Sequence, residues 1–254
     1  MALRKKALDA AILSNRRVGT EIYRLEINCP FLAQEGVPGQ FLQVRIDGAG
    51  LLLRRPLGIA EAYSATGTVA MYYRIVGKGT AALAEMKPGQ TVNCLGPLGK
   101  GFSLQAEQPL LIGGGMGIAP LLFLAQRFQG KAAVLMGGRN KAEVFWSDFF
   151  APAAKEVFIT TDDGSAGEKG FTTALLPTLL EKYRFDVLFT CGPDIMMRKI
   201  WEIADKADVP CQVSLERHMA CGLGACLSCA IDTADGGRKK VCQEGPVFWA
   251  QEVF

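Results

Sequence analysis

Up to about Gly101 the apolar and polar positions follow a period of two. Tyr23, Leu25 and Ile27 alternate with Ile22, Arg24 and Glu26, and Leu42, Val44 and Ile46 alternate with Gln43 and Arg45. That period predicts short strands, and turn signals at Pro38-Gly39 and Pro88-Gly89 separate them, as in a small antiparallel barrel or sandwich. From Pro109 the pattern changes. Continuous apolar runs over 109–112, 132–136, 156–160 and 186–190 alternate with helix-patterned stretches over 118–128, 172–183 and 195–207, which predicts a parallel α/β layer. The remaining residues lose this rhythm and carry glycines, cysteines and a Gly-Gly-Arg-Lys-Lys turn, as expected of a small segment whose core is partly inorganic. The divisions fall at 1–101, 102–212 and 213–254.

Composition narrows the function classes. With 254 residues, 49% of them apolar, the chain can bury a substantial core, and the formal charge of +3 is scattered, so no nucleic-acid partner is expected. Residues 1–18 mix Leu and Ala with Arg4, Lys5, Lys6, Arg16 and Arg17 and show no signal-peptide run. No later stretch approaches the ~18 to 20 unbroken apolar residues of a membrane span, so the expected compartment is the cytoplasm. In a reducing cytosol the eight cysteines call for metal or redox chemistry in preference to disulfides.

Four of them, Cys221, Cys226, Cys229 and Cys242, are spaced Cys-x4-Cys-x2-Cys-x12-Cys, the plant-type spacing for a [2Fe–2S] cluster. Gly222, Gly224 and Ala225 let a loop curl close to the sulfurs with its N–H groups turned inward. The alternatives are a structural zinc site, although only Cys226 and Cys229 form the usual short knuckle, or unrelated buried thiols. A Rieske centre needs two histidines and the chain has only His218. Cys29, Cys94 and Cys211 lie in strand-like stretches and read as plain buried residues.

Two glycine-bearing strand ends suggest a nucleotide site. Gly113, Gly114, Gly115 and Gly117 follow an apolar strand and open a helix, and Cys191-Gly192-Pro193 ends another strand on the same C-terminal sheet edge. The run is not the Rossmann fingerprint, since Ile118 stands where the third glycine would fall, and a plain strand-to-helix turn is the alternative. In the β-rich half, Arg54 and Arg55 at the end of an apolar strand, with the donors and hydroxyl of Gly77-Lys78-Gly79-Thr80, would together suit a diphosphate. A solvated strand end is the alternative for the arginines.

Taken together, these features resemble the ferredoxin-reductase-like flavoproteins. The match sharpens at Ser214-Leu-Glu-Arg-His-Met-Ala-Cys-Gly-Leu-Gly-Ala-Cys226 and Lys240-Val-Cys-Gln-Glu-Gly-Pro-Val-Phe248, which look like the electron-transfer subunits of NAD-dependent bacterial dihydroorotate dehydrogenases. The resemblance implies an antiparallel β-barrel FAD domain, an α/β parallel-sheet nucleotide domain binding NAD, and a small C-terminal [2Fe–2S] domain. Arg55, Pro56, Leu57, Gly58, Tyr72, Tyr73, Arg74, Gly79 and Thr80 would line FAD. Related subunits usually carry a serine or threonine where this chain has Gly58, so a hydroxyl near the flavin ring is missing.

Electron counting gives the implied route. Nicotinamide exchanges a two-electron hydride, the cluster takes one electron at a time, and FAD converts between them. The implied partner is an FMN-containing dihydroorotate dehydrogenase catalytic subunit, in a heterotetramer of two of each chain, working in pyrimidine biosynthesis. A ferredoxin–NADP oxidoreductase or sulfide dehydrogenase reductase subunit is the rival within this class, and a zinc-stabilised nucleotide-binding module is the rival outside it. Asp162 and Asp163 predict NAD over NADP because carboxylates repel a 2′-phosphate, with Arg139 as the opposing feature. Leu223 and Leu227 are either packing residues or a surface covered by the partner.

Overall fold

The computed structural model describes residues 5–47 and 50–254; Arg4 and the rest of residues 1–4, part of the N-terminal stretch read above for a leader, lie outside them. Seven strands build the first sheet: β1 (Lys6–Gly19), β2 (Ile22–Asn28), β3 (Phe41–Arg45), β4 (Arg55–Gly58), β5 (Glu61–Tyr63), β6 (Thr68–Arg74) and β7 (Thr91–Leu98). Their order is β4-β3-β7-β1-β2-β6-β5, antiparallel throughout. Leu57 from one edge strand shares a core with Leu25, Val44, Val69, Met71 and Tyr73, so the sheet closes as a barrel. Two short helices cap it, α1 (Pro30–Glu35) and α2 (Lys78–Glu85). Cys29 precedes α1 and is buried there, outside any strand, whereas Cys94 and Cys211 do lie in strands.

The second sheet holds β8 (Pro109–Gly114), β9 (Ala133–Gly138), β10 (Glu156–Thr161), β11 (Glu168–Lys169), β12 (Val187–Cys191) and β13 (Cys211–Ser214). These six are parallel. Helices α3 (Ala119–Phe128), α4 (Ser147–Phe150), α5 (Thr172–Lys182) and α6 (Asp194–Lys206) connect them. Alternate residues explain the two-sided burial: Leu111, Val134 and Phe189 face α3 and α4, while Leu110, Ile112, Leu135 and Leu188 face α5 and α6. The chain runs β8, β9, β10 to one side and returns to β12 on the other, which puts a switch point between β8 and β12.

After β13 the chain makes an excursion containing the hairpin β14 (Ala230–Asp232) and β15 (Arg238–Lys240), and then returns. Strand β16 (Val247–Trp249) pairs antiparallel with β13 as the sheet's seventh strand, followed by α7 (Ala250–Val253). The last segment therefore shares a core with both larger parts, with Cys229, Val241, Cys242 and Phe248 packed among Leu110, Val213 and the barrel residues Phe41 and Leu98.

A buried polar network braces the barrel against the α/β layer. Arg24 donates to Glu61 (2.7 and 3.0 Å) and pairs with Glu26 (2.7 Å), and the hydroxyls of Tyr63 and Tyr72 donate to Glu61 (2.6 and 2.8 Å). The Tyr72 ring meets the edge of Trp146 at 4.9 Å, and Gln126 of α3 donates to the Tyr63 hydroxyl (3.1 Å). Burial pushes the Glu61 carboxyl up, but the hydrogen bonds from Arg24 and Tyr63 and the Arg24 charge outweigh it and hold it below its ordinary range.

Candidate functional site

At the switch point a cleft of about 980 Å³ opens over the C-terminal ends of the strands. It is lined by Gly114, Gly115, Gly117, Gly192, Pro193 and Asp162, together with Arg74 from the end of β6. The glycines are there for space. A Cβ on Gly117 would strike the backbone of Cys191 and Gly192, one on Gly114 would strike Met196, and Gly115 has a left-handed φ of 58°. The run does not open the α-helix directly, because a 3₁₀ turn over Gly115–Ile118 intervenes before α3.

Three residues expected here lie off the cleft's lining. Gly113 is closed in by Ile118, Cys191 is buried beneath the strand end with its thiol pushed up by that burial, and Asp163 turns to Ser165 (2.6 Å). Gly137, Gly138, Thr160 and Thr172 line the cleft and were missed; the glycine pair ending β9 was the available signal. Arg139 is held by Glu143 (2.7 Å). Thr160 Oγ1 and Arg74 Nε are buried without a hydrogen-bond partner, and both residues line the cleft, so this wall has polar capacity reserved for a ligand. A nicotinamide nucleotide fits these features: open glycine backbone, unspent polar atoms and an acidic residue at the rim.

The second group sits where the barrel meets α2. Strand β4 begins at Arg55, whereas the sequence reading placed the arginines at a strand's end. Arg54 is occupied, donating to the carbonyls of Gln43 and Asn93 (both 3.1 Å). The Arg55 guanidinium lies against Gly79 in the first turn of α2, so two residues far apart in sequence meet. A guanidinium above the unpaired N–H groups of a helix start suits a diphosphate. Pro56 and Gly58 face outward enough for a ligand, and Gly58 lies 3.2 Å, measured from an ideal Cβ, from Pro120 of α3.

Other expected flavin residues are engaged elsewhere. The Thr80 hydroxyl accepts from the Val76 N–H (2.9 Å) and donates to the Gly77 carbonyl (3.1 Å), so it is spent on the backbone that leads into α2. Leu57 and Tyr73 lie in the barrel core, with the Tyr73 hydroxyl donating to Asn15 (2.9 Å), and Tyr72 belongs to the Arg24 network.

The third group is the cysteine loop. Its glycines Gly222 and Gly224 have φ of 69° and 84°, and the turn they make aims N–H groups at sulfur. Leu223 N–H donates to Cys221 Sγ (3.3 Å), Gly224 N–H to Cys242 Sγ (3.1 Å) and Cys242 N–H to Cys229 Sγ (3.4 Å). Burial opposes ionisation of Cys221, but the N–H groups of Leu223, Cys226 and Ala225 and the Cys226 thiol bring it down to about 6. Burial and the adjacent Cys229 sulfur push Cys242 up.

The Cys242 N–H reaches the Cys229 sulfur and Gly224, from the turn that follows Cys221, reaches the Cys242 sulfur, so the distant Cys242 joins the other cysteines in one neighbourhood. Among the described residues no three ligand side chains converge as they would on a single ion. Four cysteines, three of whose sulfurs already receive N–H donors, fit a two-iron cluster, which needs two protein sulfurs per iron. Leu223 and Leu227 are 45% and 62% exposed. His218 stands beside the loop, its carbonyl accepting from Ser228 (3.3 Å).

Known proteins share these features. Residues 216–254 match the iron-sulfur cluster binding domain of dihydroorotate dehydrogenase B, and residues 11–102 match the oxidoreductase FAD-binding domain. The chain is 40% identical to the electron transfer subunit of dihydroorotate dehydrogenase B (NAD(+)) of Desulforamulus reducens, covering 98% of each, and 38% identical to that of Caldanaerobacter subterraneus subsp. tengcongensis, covering 97% and 98%. Among solved structures it resembles an NADH-dependent reduced ferredoxin-NADP oxidoreductase (TM-score 0.87, 31% identity, 96% and 89% covered). By fold it also resembles the Neisseria gonorrhoeae ferredoxin NADP+ reductase with bound FAD and NADP (TM-score 0.63, 19% identity, 80% and 92% covered). The reach of the first two likenesses over nearly the whole chain, with an FAD-binding barrel, a parallel nucleotide sheet and a cysteine loop in the same order, means that this chain belongs to the family of electron transfer subunits of dihydroorotate dehydrogenase B.

Proposed function

We propose that the chain carries electrons from the FMN of a dihydroorotate-oxidising catalytic subunit, through a [2Fe–2S] cluster and FAD, to NAD+ in pyrimidine biosynthesis, working as a heterotetramer of two of each chain. The observation that carries this is contiguity. A cavity lined by Arg55 and Pro56 of β4 is also lined by Met219, Ala220 and Ser228 of the cysteine loop, and Arg217 in its wall pairs with Asp194 at the rim of the cleft (2.8 Å). Nicotinamide cleft, flavin strand and cluster loop are therefore neighbours, which supports electron exchange among them. When bound, FAD supplies the conversion between hydride transfer and the one-electron steps of a [2Fe–2S] cluster.

The chain's residues bind and orient. Arg55 and the first turn of α2, with Gly79, hold the FAD diphosphate, and Pro56, Gly58 and Arg74 border the flavin. Gly114, Gly115, Gly117, Gly192 and Pro193 admit the nicotinamide nucleotide, and Asp162 at the cleft wall disfavours a 2′-phosphate, an effect supported by the pairing of Arg139 with Glu143. Cys221, Cys226, Cys229 and Cys242 hold the irons. The exposed Leu223 and Leu227 suit a surface covered by the catalytic subunit.

A second reading, the reductase subunit of a ferredoxin–NADP oxidoreductase, is favoured by the likeness to that structure. Assays with and without a co-expressed FMN subunit separate the two. The chain alone should reduce artificial acceptors with NADH and leave dihydroorotate untouched, and the mixture should reduce NAD+ with dihydroorotate. Rapid exchange with ferredoxin and no dihydroorotate activity in any mixture would transfer the assignment to the second reading.

A further inference from the structure

Gln43 is fully buried on β3, yet both atoms of its carboxamide lack a hydrogen-bond partner. Its neighbours Leu42 and Val44 point into the barrel core, so Gln43 points out of the barrel, like Phe41, toward the C-terminal segment. There it packs on Gly222, the residue after Cys221: an ideal Cβ at Gly222 would lie 2.8 Å from Gln43 Nε2. An unsatisfied buried amide is costly, so an apolar residue would serve better here unless the amide has a partner when the site is loaded. A cluster site is rich in acceptors, since thiolate and sulfide sulfurs are all negative and the loop already turns N–H groups on them. A further donor is what complements it.

We infer that Gln43 is a cofactor-contacting residue whose Nε2–H donates to a sulfur of the loaded cluster and raises the cluster's affinity for an electron. This rests on the reading of the four cysteines as its ligands. The donor reaches the cluster from the barrel strand that pairs with β4, Gln43 standing opposite Pro56, so the barrel itself tunes the cluster. Reduction adds negative charge to the sulfurs and strengthens such a hydrogen bond. Losing it should lower the reduction potential.

The test uses the full chain loaded with FAD and iron. Gln43→Met keeps length and apolar volume while removing both polar atoms, and Gln43→Asn withdraws the amide by one methylene. With full iron and flavin content, EPR-monitored titration should show the cluster holding its electron about tenfold less tightly in Gln43→Met, a shift of about 59 mV to lower potential for a one-electron couple. In the unsubstituted protein, pulsed EPR of the reduced cluster with ¹⁵N-labelled glutamine side chains should show a coupling that Gln43→Met abolishes. That spectrum stands as a test even if a variant does not fold. An unchanged cluster potential at full iron content, a shift confined to the flavin, or no ¹⁵N coupling would overturn the role of Gln43 alone. Unsubstituted protein that binds flavin and no iron would overturn the ligand reading and this inference with it.

Discussion

A Cβ placed on Gly79 would occupy the space of the Arg55 guanidinium, so one residue's lack of a side chain sets the other's position. If that pair holds the FAD diphosphate, Arg55→Ala removes a charge-assisted contact of about 1.5 to 3 kcal/mol, roughly a 10- to 100-fold rise in FAD dissociation constant. Gly79→Ala should reproduce much of that loss with Arg55 still in the chain, measured by flavin fluorescence on dilution. A normal FAD affinity in both variants would place the diphosphate elsewhere. Alternation along β6 likewise separates adjacent residues: Val69, Met71 and Tyr73 go to the core, while Tyr72 faces out to Trp146.

Between elements, the Arg24 and Glu61 network ties β2, β5 and β6 to α3. Glu61→Gln should destabilise the protein by about 2 to 4 kcal/mol at neutral pH, because Arg24 loses its main buried counter-charge and keeps Glu26. The sign with pH follows from the depressed carboxyl. Glu61's contribution is complete above the ordinary carboxylate value of about 4.3 and falls away as the pH drops through its lower folded value, so the Glu61→Gln variant should show a flatter acid loss of stability in denaturant titrations. Elements of this kind differ in how far the sequence announces them. Strands β8, β9, β10 and β12 were legible because they are apolar on both faces, and the cysteine spacing was legible because it is local. Strand β1 was not, since charged Arg16 and Arg17 and two register shifts obscure its alternation, and neither was the six-residue α1. Gln43 reads as a solvent-facing strand position until the cluster loop, far along the chain, is seen to cover it. Arg55 and Gly79 were both legible as candidates, but their contact depends on barrel closure.

At the scale of the molecule, the final segment is not an appendage. Strand β16 completes the second sheet, and Val241, Phe248 and Ala250 share a core with Phe41 of the barrel and Leu110 of the α/β layer. Removing residues 216–254 should therefore expose the β13 edge and this core, giving aggregation in place of a folded two-domain remnant, as judged by size-exclusion chromatography and circular dichroism. A monodisperse, cooperatively melting remnant would contradict that expectation. The return of the chain also has a mechanical meaning. Ser214 and Val247 pair on adjacent strands, and the Leu215 N–H donates to the Pro246 carbonyl (2.9 Å), so both ends of the cysteine excursion are clamped at one point of a rigid sheet. Electron tunnelling falls off steeply with distance, and a redox centre on a tether anchored at one end would let that distance wander with every encounter. Clamped at both ends, the loop acts as a fixed gauge block, holding its distance from the flavin strand β4 constant.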